Sequence, residues 1–235
     1  MDGYTLSFEK EIHRIRSGES VLAVILTGAA AELLDFTKLR DIDIFVILSK
    51  GQFLEREVAD KDGIIWDITY LPVSVLKQGI KEKWPFLIHG LYKSKPISLD
   101  MQVSSLLAQI QSLYLQGPGA LPEEELKYLR FKLTQDYEDL FNRRGDALNA
   151  KFLAYYLFKE ILTAYFRLNN KWVPREKKIL SSIKQEKELY KLCLNFLEEN
   201  NVEKNLSYLQ NMIKYVLNPW GGKLINWPKG KFPLK

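Results

Sequence analysis

The sequence reads as an α+β protein, an N-terminal mixed-sheet domain followed by an all-α helical bundle. Three observations lead there. In the first hundred residues, short β-branched apolar runs alternate with amphipathic segments and turn clusters. From about Gln102 onward the strand patterns vanish and apolar residues recur at helical spacing. The charge also changes sign: residues 1–100 carry 13 basic and 15 acidic side chains, and the remainder carry 21 and 14. The chain is therefore divided into a first domain, 1–101, a helical bundle, 102–218, and an irregular basic tail, 219–235.

Each element has a local reason. Tyr4 to Ser17 spaces Leu6, Phe8, Ile12 and Ile15 as one face of a helix. Val21 to Leu26 is a continuous apolar run, the pattern of a strand buried on both sides. It stops at Thr27-Gly28, and Ala29 to Leu34 holds good helix formers. Ile42 to Leu48 is a second buried strand. Phe53 to Ala59 and Ile64 to Leu71 flank Asp60-Lys61-Asp62-Gly63, which reads as a hairpin turn. Val73 to Lys81 follows a proline as a short helix, and Pro96 to Leu99 reads as an edge strand. Beyond them, helices are expected over 103–115, 122–143, 147–168, 175–183, 186–199 and 202–217. Gly117-Pro118-Gly119 separates the first two, Pro122 with Glu123 to Glu125 opens the second, and Asp146 caps the third. Phe131, Leu133, Tyr137 and Leu140 read as a core stripe. Short connections between long helices suggest an antiparallel bundle.

Composition excludes several classes. At 46% hydrophobic and 27% charged, the chain is globular rather than disordered. No apolar run approaches the ~18 residues of a membrane span. The N-terminal residues lack the basic start and apolar core of a signal peptide, so the expected location is the cytoplasm, with no membrane partner. Cys193 has no second cysteine to pair with, and His13 and His89 are too distant in sequence to suggest a histidine-rich metal site.

The chemistry concentrates in three acids. Asp41 and Asp43 open an otherwise apolar strand, where a carboxylate is costly unless something satisfies it. At i and i+2 their side chains share one face of the strand and repel each other. A hard divalent cation relieves that repulsion, and Mg²⁺ prefers such oxygen ligands. A third acid, Asp67, interrupts the apolar run Ile64 to Thr69. If its strand neighbours the first, three carboxylates reach one edge of the sheet, and two metals about 3.5–4 Å apart could assist displacement at phosphorus. Taken singly, each acid reads more readily as a structural or solvated strand-end residue than as a ligand.

Gly28-Ala29, then Asp41-Ile42-Asp43, then Asp67 resembles the nucleotidyltransferase signature of the DNA polymerase beta superfamily. The layout with a helical domain behind it is similar to the two-domain, kanamycin-type nucleotidyltransferases. The resemblance implies that Gly28 and Ala29 hold a triphosphate by backbone N–H groups. It implies that Asp41 and Asp43 ligate Mg²⁺, and that Asp67 binds metal or helps deprotonate the acceptor. Departures are visible: Ala29 stands where serine is usual, Glu32 and Leu33 where arginine is frequent, and Arg40 where serine commonly precedes the first acid. The loss of one phosphate hydrogen bond costs about 1–3 kcal/mol and leaves the carboxylates intact. In the helical part, Asn169 to Leu180 resembles a junction of the same enzymes, which gives Lys177 the role of a phosphate-facing lysine. Trp172 in that junction reads as core.

The function implied is Mg²⁺-dependent transfer of a nucleoside monophosphate, AMP from ATP or another NTP, to a hydroxyl of an unidentified small molecule or protein. The alternative is a catalytically weak or inactive module of the same layout, acting as a binding or antitoxin-type partner. A nucleic-acid partner is not expected. Lys223, Lys229, Lys231 and Lys235 lie in the acid-free tail, and without them residues 101–218 carry 17 basic and 14 acidic side chains. A protein partner or a homodimer stays open.

Overall fold

The structure is a computed structural model that describes residues 3–32, 39 and 41–229, with side chains from Ser7 onward. The expectations for Leu33, Leu34 and Arg40, and for the lysines at 231 and 235, lie outside the described residues, as does the side chain of Leu6. The chain forms two compact units, 1–117 and 118–235.

The first unit opens with α1 (Gly3–Arg16), β1 (Val21–Thr27), α2 (Gly28–Glu32) and β2 (Asp41–Leu48). The hairpin β3 (Glu55–Lys61) and β4 (Ile64–Pro72) follows, then α3 (Val73–Lys81), α4 (Pro85–Leu91), β5 (Lys95–Leu99) and α5 (Met101–Gln116). The five strands form one sheet in the order β3-β4-β2-β1-β5. The sheet is mixed because β2 and β4 run parallel, while the other neighbours are antiparallel. The hairpin turn is Asp62-Gly63, with φ of 56° and 79°. Those left-handed values suit glycine and an Asp, and they set the β3–β4 register.

Both faces of the sheet are covered, as continuous apolar strands require. On one face Val24, Leu26, Ile42, Ile44, Val46, Ile64, Trp66 and Ile68 pack with Ile12 and Ile15 of α1 and Ala30 of α2. On the other, Ile25, Phe45, Ile47 and Leu71 are buried. Gly90 of α4 lies against the Phe45 ring there, where a Cβ would come within 3.2 Å. Helix α4 is absent from the sequence reading. Pro85 is at its first helical position, where its missing N–H costs nothing. Helix α5 packs on α3 and α4 and so belongs to the first unit. The change in periodicity near residue 101 and the packing boundary near 117 are thus different positions.

A polar network ties α1 to the hairpin. Glu11 is buried and accepts hydrogen bonds from Arg14 Nε at 2.8 Å and Lys61 Nζ at 2.7 Å. Arg14 also reaches Glu57, which accepts from the Tyr70 hydroxyl at 2.8 Å. Burial acts to raise the Glu11 pKa, but the bonds from Arg14 and Lys61 outweigh it and hold the group below the usual carboxylate range. Its contribution to stability is therefore present above the unfolded pKa and is lost as pH falls through the folded one. Glu11→Gln should lower the melting temperature at pH 7 and flatten its decline between about pH 5 and pH 3. Thermal melts across that range check this. A parallel shift at every pH would contradict it.

The second unit contains α6 (Glu123–Asn142), α7 (Ala147–Leu168), a 3₁₀ turn (Glu176–Lys178), α8 (Ile179–Ser182), α9 (Lys187–Glu198) and α10 (Val202–Leu217). Its core joins Leu129, Leu133, Tyr137 and Leu140 of α6 to the buried faces of α7, α9 and α10. Phe131 lies outside that stripe and meets Trp227. Asp146 and Asn201 cap α7 and α10 through their side chains. After α10 a 3₁₀ turn (Asn218–Trp220) leads into an irregular segment held on α6. Arg130 donates to the carbonyls of Gly221 and Gly222 at 2.6 and 2.8 Å, and Leu224 N–H donates to Thr134 at 3.2 Å. Among the described residues no helix is long and apolar enough to cross a membrane.

Candidate functional site

One end of the sheet, where β1 finishes and β2 and β4 begin, gathers the motif residues of the first unit. Thr27 is the antiparallel register partner of Asp43, and Asp43 is the parallel partner of Asp67. Residues paired in this way point to the same face. Ile42, Ile44, Trp66 and Ile68 fill the core on the α1 side, so Asp41, Asp43 and Asp67 project from the opposite face. Asp41 is exposed and Asp43 half-buried. The strand adjacency expected from sequence is therefore present, with no intervening strand.

Gly28 makes the arrangement close. Its φ is 59°, in the left-handed region that glycine tolerates, and a Cβ built on it would lie 2.7 Å from Asp43 Oδ2. The backbone at the end of β1 thus abuts the carboxylate, and only a residue without a side chain leaves that space open. Thr27 is buried and its hydroxyl donates to the Asp43 carbonyl at 3.4 Å, which fixes β1 beside β2 at this point. Ala29 is exposed on the first turn of α2.

Asp67 has a partner that sequence reasoning missed. Arg56 of β3 grips it with both arms, Nε to Oδ1 at 2.7 Å and Nη2 to Oδ2 at 2.5 Å. Hydrogen bonding and charge from Asp67, with a smaller contribution from Asp43, raise the Arg56 pKa further. The signal was in the hairpin. The Asp62-Gly63 turn pairs Val58 with Asp67 and Arg56 with Thr69, so Arg56 stands diagonally across from Asp67 on the same face.

The donor set suits a hard cation. Two carboxylates on one strand face offer oxygen ligands, and the absent side chain of Gly28 leaves the space a Cβ would fill beside Asp43 Oδ2. With Asp67 turned to Arg56, no group of three or more His, Cys, Asp or Glu among the described residues is placed to hold a metal ion together.

The remaining candidates lie in the second unit. Lys177 is exposed on the 3₁₀ turn, and Trp172 is buried in accord with a core role. Four acids of α6 and α7 are engaged by cations. Asp136 and Glu160 share Lys132 Nζ at 2.6 and 3.0 Å, Asp139 pairs with Arg143, and Glu138 lies 3.9 Å from Lys223. Tyr165 is buried and donates to Glu186, whereas Tyr155 and Tyr156 are exposed.

No family model matches the chain, and no curated protein matches its sequence. Among solved structures, a nucleotidyltransferase-like protein from Exiguobacterium sibiricum aligns with 92% of this chain and 75% of its own. The TM-score is 0.50 at 13% identity, a likeness of fold.

Proposed function

We propose that the chain transfers a nucleoside monophosphate, AMP from ATP, to a hydroxyl of a small molecule or protein in a Mg²⁺-dependent reaction. The observation that carries this reading is the row Thr27–Asp43–Asp67, assembled by register from three strands at one sheet end, with Gly28 against Asp43. The fold held in common with a nucleotidyltransferase-like protein supports it. Asp41 and Asp43 would hold Mg²⁺, which when bound polarises phosphate oxygens and offsets charge on the leaving pyrophosphate. The Gly28 and Ala29 backbone N–H groups would bind the phosphates, and the Ala29 side chain adds no hydroxyl to that contact. Asp67 would complete the acidic set or accept the acceptor's proton. Lys177 is the proposed phosphate contact from the second unit.

The test is nucleotide binding that depends on the acids. The parent chain should gain thermal stability with Mg-ATP, and the Asp41→Ala/Asp43→Ala double variant should not. A double variant stabilised as strongly as the parent would sink the proposal.

A second reading is favoured by a specific observation, the occupation of both Asp67 oxygens by Arg56. A module with its third acid engaged would bind nucleotide without transferring it. Pyrophosphate release from ATP in the presence of a candidate acceptor separates the two, since a binding module releases none.

A further inference from the structure

We infer that the outer side of the first half of α7 docks onto the same side of a second copy of this chain, as an antiparallel helix pair with its two-fold axis near Phe152. The inference uses no residue of the sheet-end site and is independent of the nucleotide reading.

Helix α7 is apolar on two opposite sides over its first half. At about 100° per residue, Ala150, Ala154, Leu157 and Phe158 share the side buried in the core of the second unit. Leu148, Phe152, Tyr155 and Tyr156, at i, i+4, i+7 and i+8, share the other. These four residues are 81, 72, 43 and 47% exposed. A helix that is apolar all round is ordinarily covered all round, and a contiguous exposed apolar stripe marks an interaction surface. Both tyrosines are held in place, Tyr155 edge-on to Phe196 at 5.4 Å and Tyr156 under the Lys132 ammonium at 5.2 Å. Lys151 is the only charged residue between Ala147 and Phe158. It lies on the flank, where its stem can follow a helix seam while the ammonium stays in water.

The charges at the two ends of the stripe select the occupant. Exposed Asp146 precedes it and exposed Lys159 closes it. A second copy laid antiparallel across Phe152 brings Leu148 over the second copy's Tyr156 and Phe152 over Phe152. It also sets each Lys159 at the Asp146 end of the other helix. A parallel pair would oppose like charges at both ends. Within the chain Lys159 meets Glu176 at 3.3 Å, but the two side chains are 54 and 77% exposed, so that pair is weak and exchangeable. Asp146 caps α7 through Asn149 and stays charged in doing so.

The area fits a reversible dimer. The exposed parts of the four side chains amount to on the order of 500 Å² per copy and ~1,000 Å² for the pair. That is the lower bound of a specific interface, so association belongs in the micromolar range.

Sedimentation velocity on the full chain, from low micromolar to several hundred micromolar, tests this. The parent should pass from monomer to dimer. Phe152→Glu sets two carboxylates against each other at the axis and should weaken the dimer at least about tenfold, with the melting temperature of the monomer kept. Lys159→Glu should weaken it several-fold, and adding Asp146→Asn, which retains the cap, should recover that loss. A short bismaleimide should join Lys151→Cys chains as dimers and leave Met101→Cys, exposed in the first unit, as monomers. Cys193 is buried and does not compete. A parent that stays monomeric throughout, a dimer that Phe152→Glu leaves unchanged, or equal cross-linking of the two cysteine variants would overturn the inference. So would a dimer indifferent to Lys159→Glu, because the antiparallel order depends on that charge.

Discussion

Asp43→Asn should weaken Mn²⁺ binding at least about a hundredfold while leaving the melting temperature within about 3 °C of the parent or above it. The two halves of this expectation have one origin. Asp43 stands between Thr27 and Asp67 in the register and shares its strand face with Asp41. An isosteric amide keeps the shape of the side chain without leaving a hole and removes only its charge. The same charge is what a divalent ion would require. Loss even of a residue that only orients a metal ligand typically costs 10–100-fold in affinity, so loss of a ligand should cost no less. Isothermal titration with Mn²⁺ and a thermal melt read the two halves separately. Unchanged Mn²⁺ affinity would show that the ion, if any, sits elsewhere. A marked loss of stability would show that Asp43 serves the fold.

Gly28→Ala should have the second largest effect, on binding and stability together. At φ 59° an L-residue costs about 1–2 kcal/mol. The new methyl would also lie 2.7 Å from Asp43 Oδ2, closer than carbon and oxygen pack, so the carboxylate must move. The variant should melt several degrees lower, since 1 kcal/mol corresponds to roughly 2–8 °C for units of this size. Mn²⁺ affinity should fall about tenfold as Asp43 is displaced. The steric part can be isolated. Placed on an Asp43→Ala background, Gly28→Ala should lose only the backbone cost, because the colliding oxygen is gone. Full additivity of the two substitutions would refute the contact.

Much of the fold was legible because local patterns and tertiary packing agree. The buried strands Val21 to Leu26 and Ile42 to Leu48 could be read from their apolar runs, and α7 and α10 from their periodicity and caps. The acids could be found because a carboxylate in an apolar strand is conspicuous. What could not be read depended on relations between segments. Nothing local in Thr27-Gly28 reveals that it abuts Asp43, because the contact depends on the pairing of β1 with β2. Arg56 looked like one more charge on a polar strand until the hairpin register set it across from Asp67. Helix α4 could not be read because, at seven residues, it is too short for a helical period to stand out. The association of α5 with the first unit was hidden because its spacing is as helical as that of the bundle.

Strand β3 is one of the two outermost strands of the sheet, and outermost strands are where a sheet first frays. This one is fastened on both sides. Glu57 and Lys61 join it to the α1 network on one face, and Arg56 joins it to Asp67 on the other. Detaching the strand and breaking the Arg56–Asp67 pair are consequently a single event. The rate at which β3 amides exchange with solvent therefore also reports how often Arg56 leaves the third carboxylate.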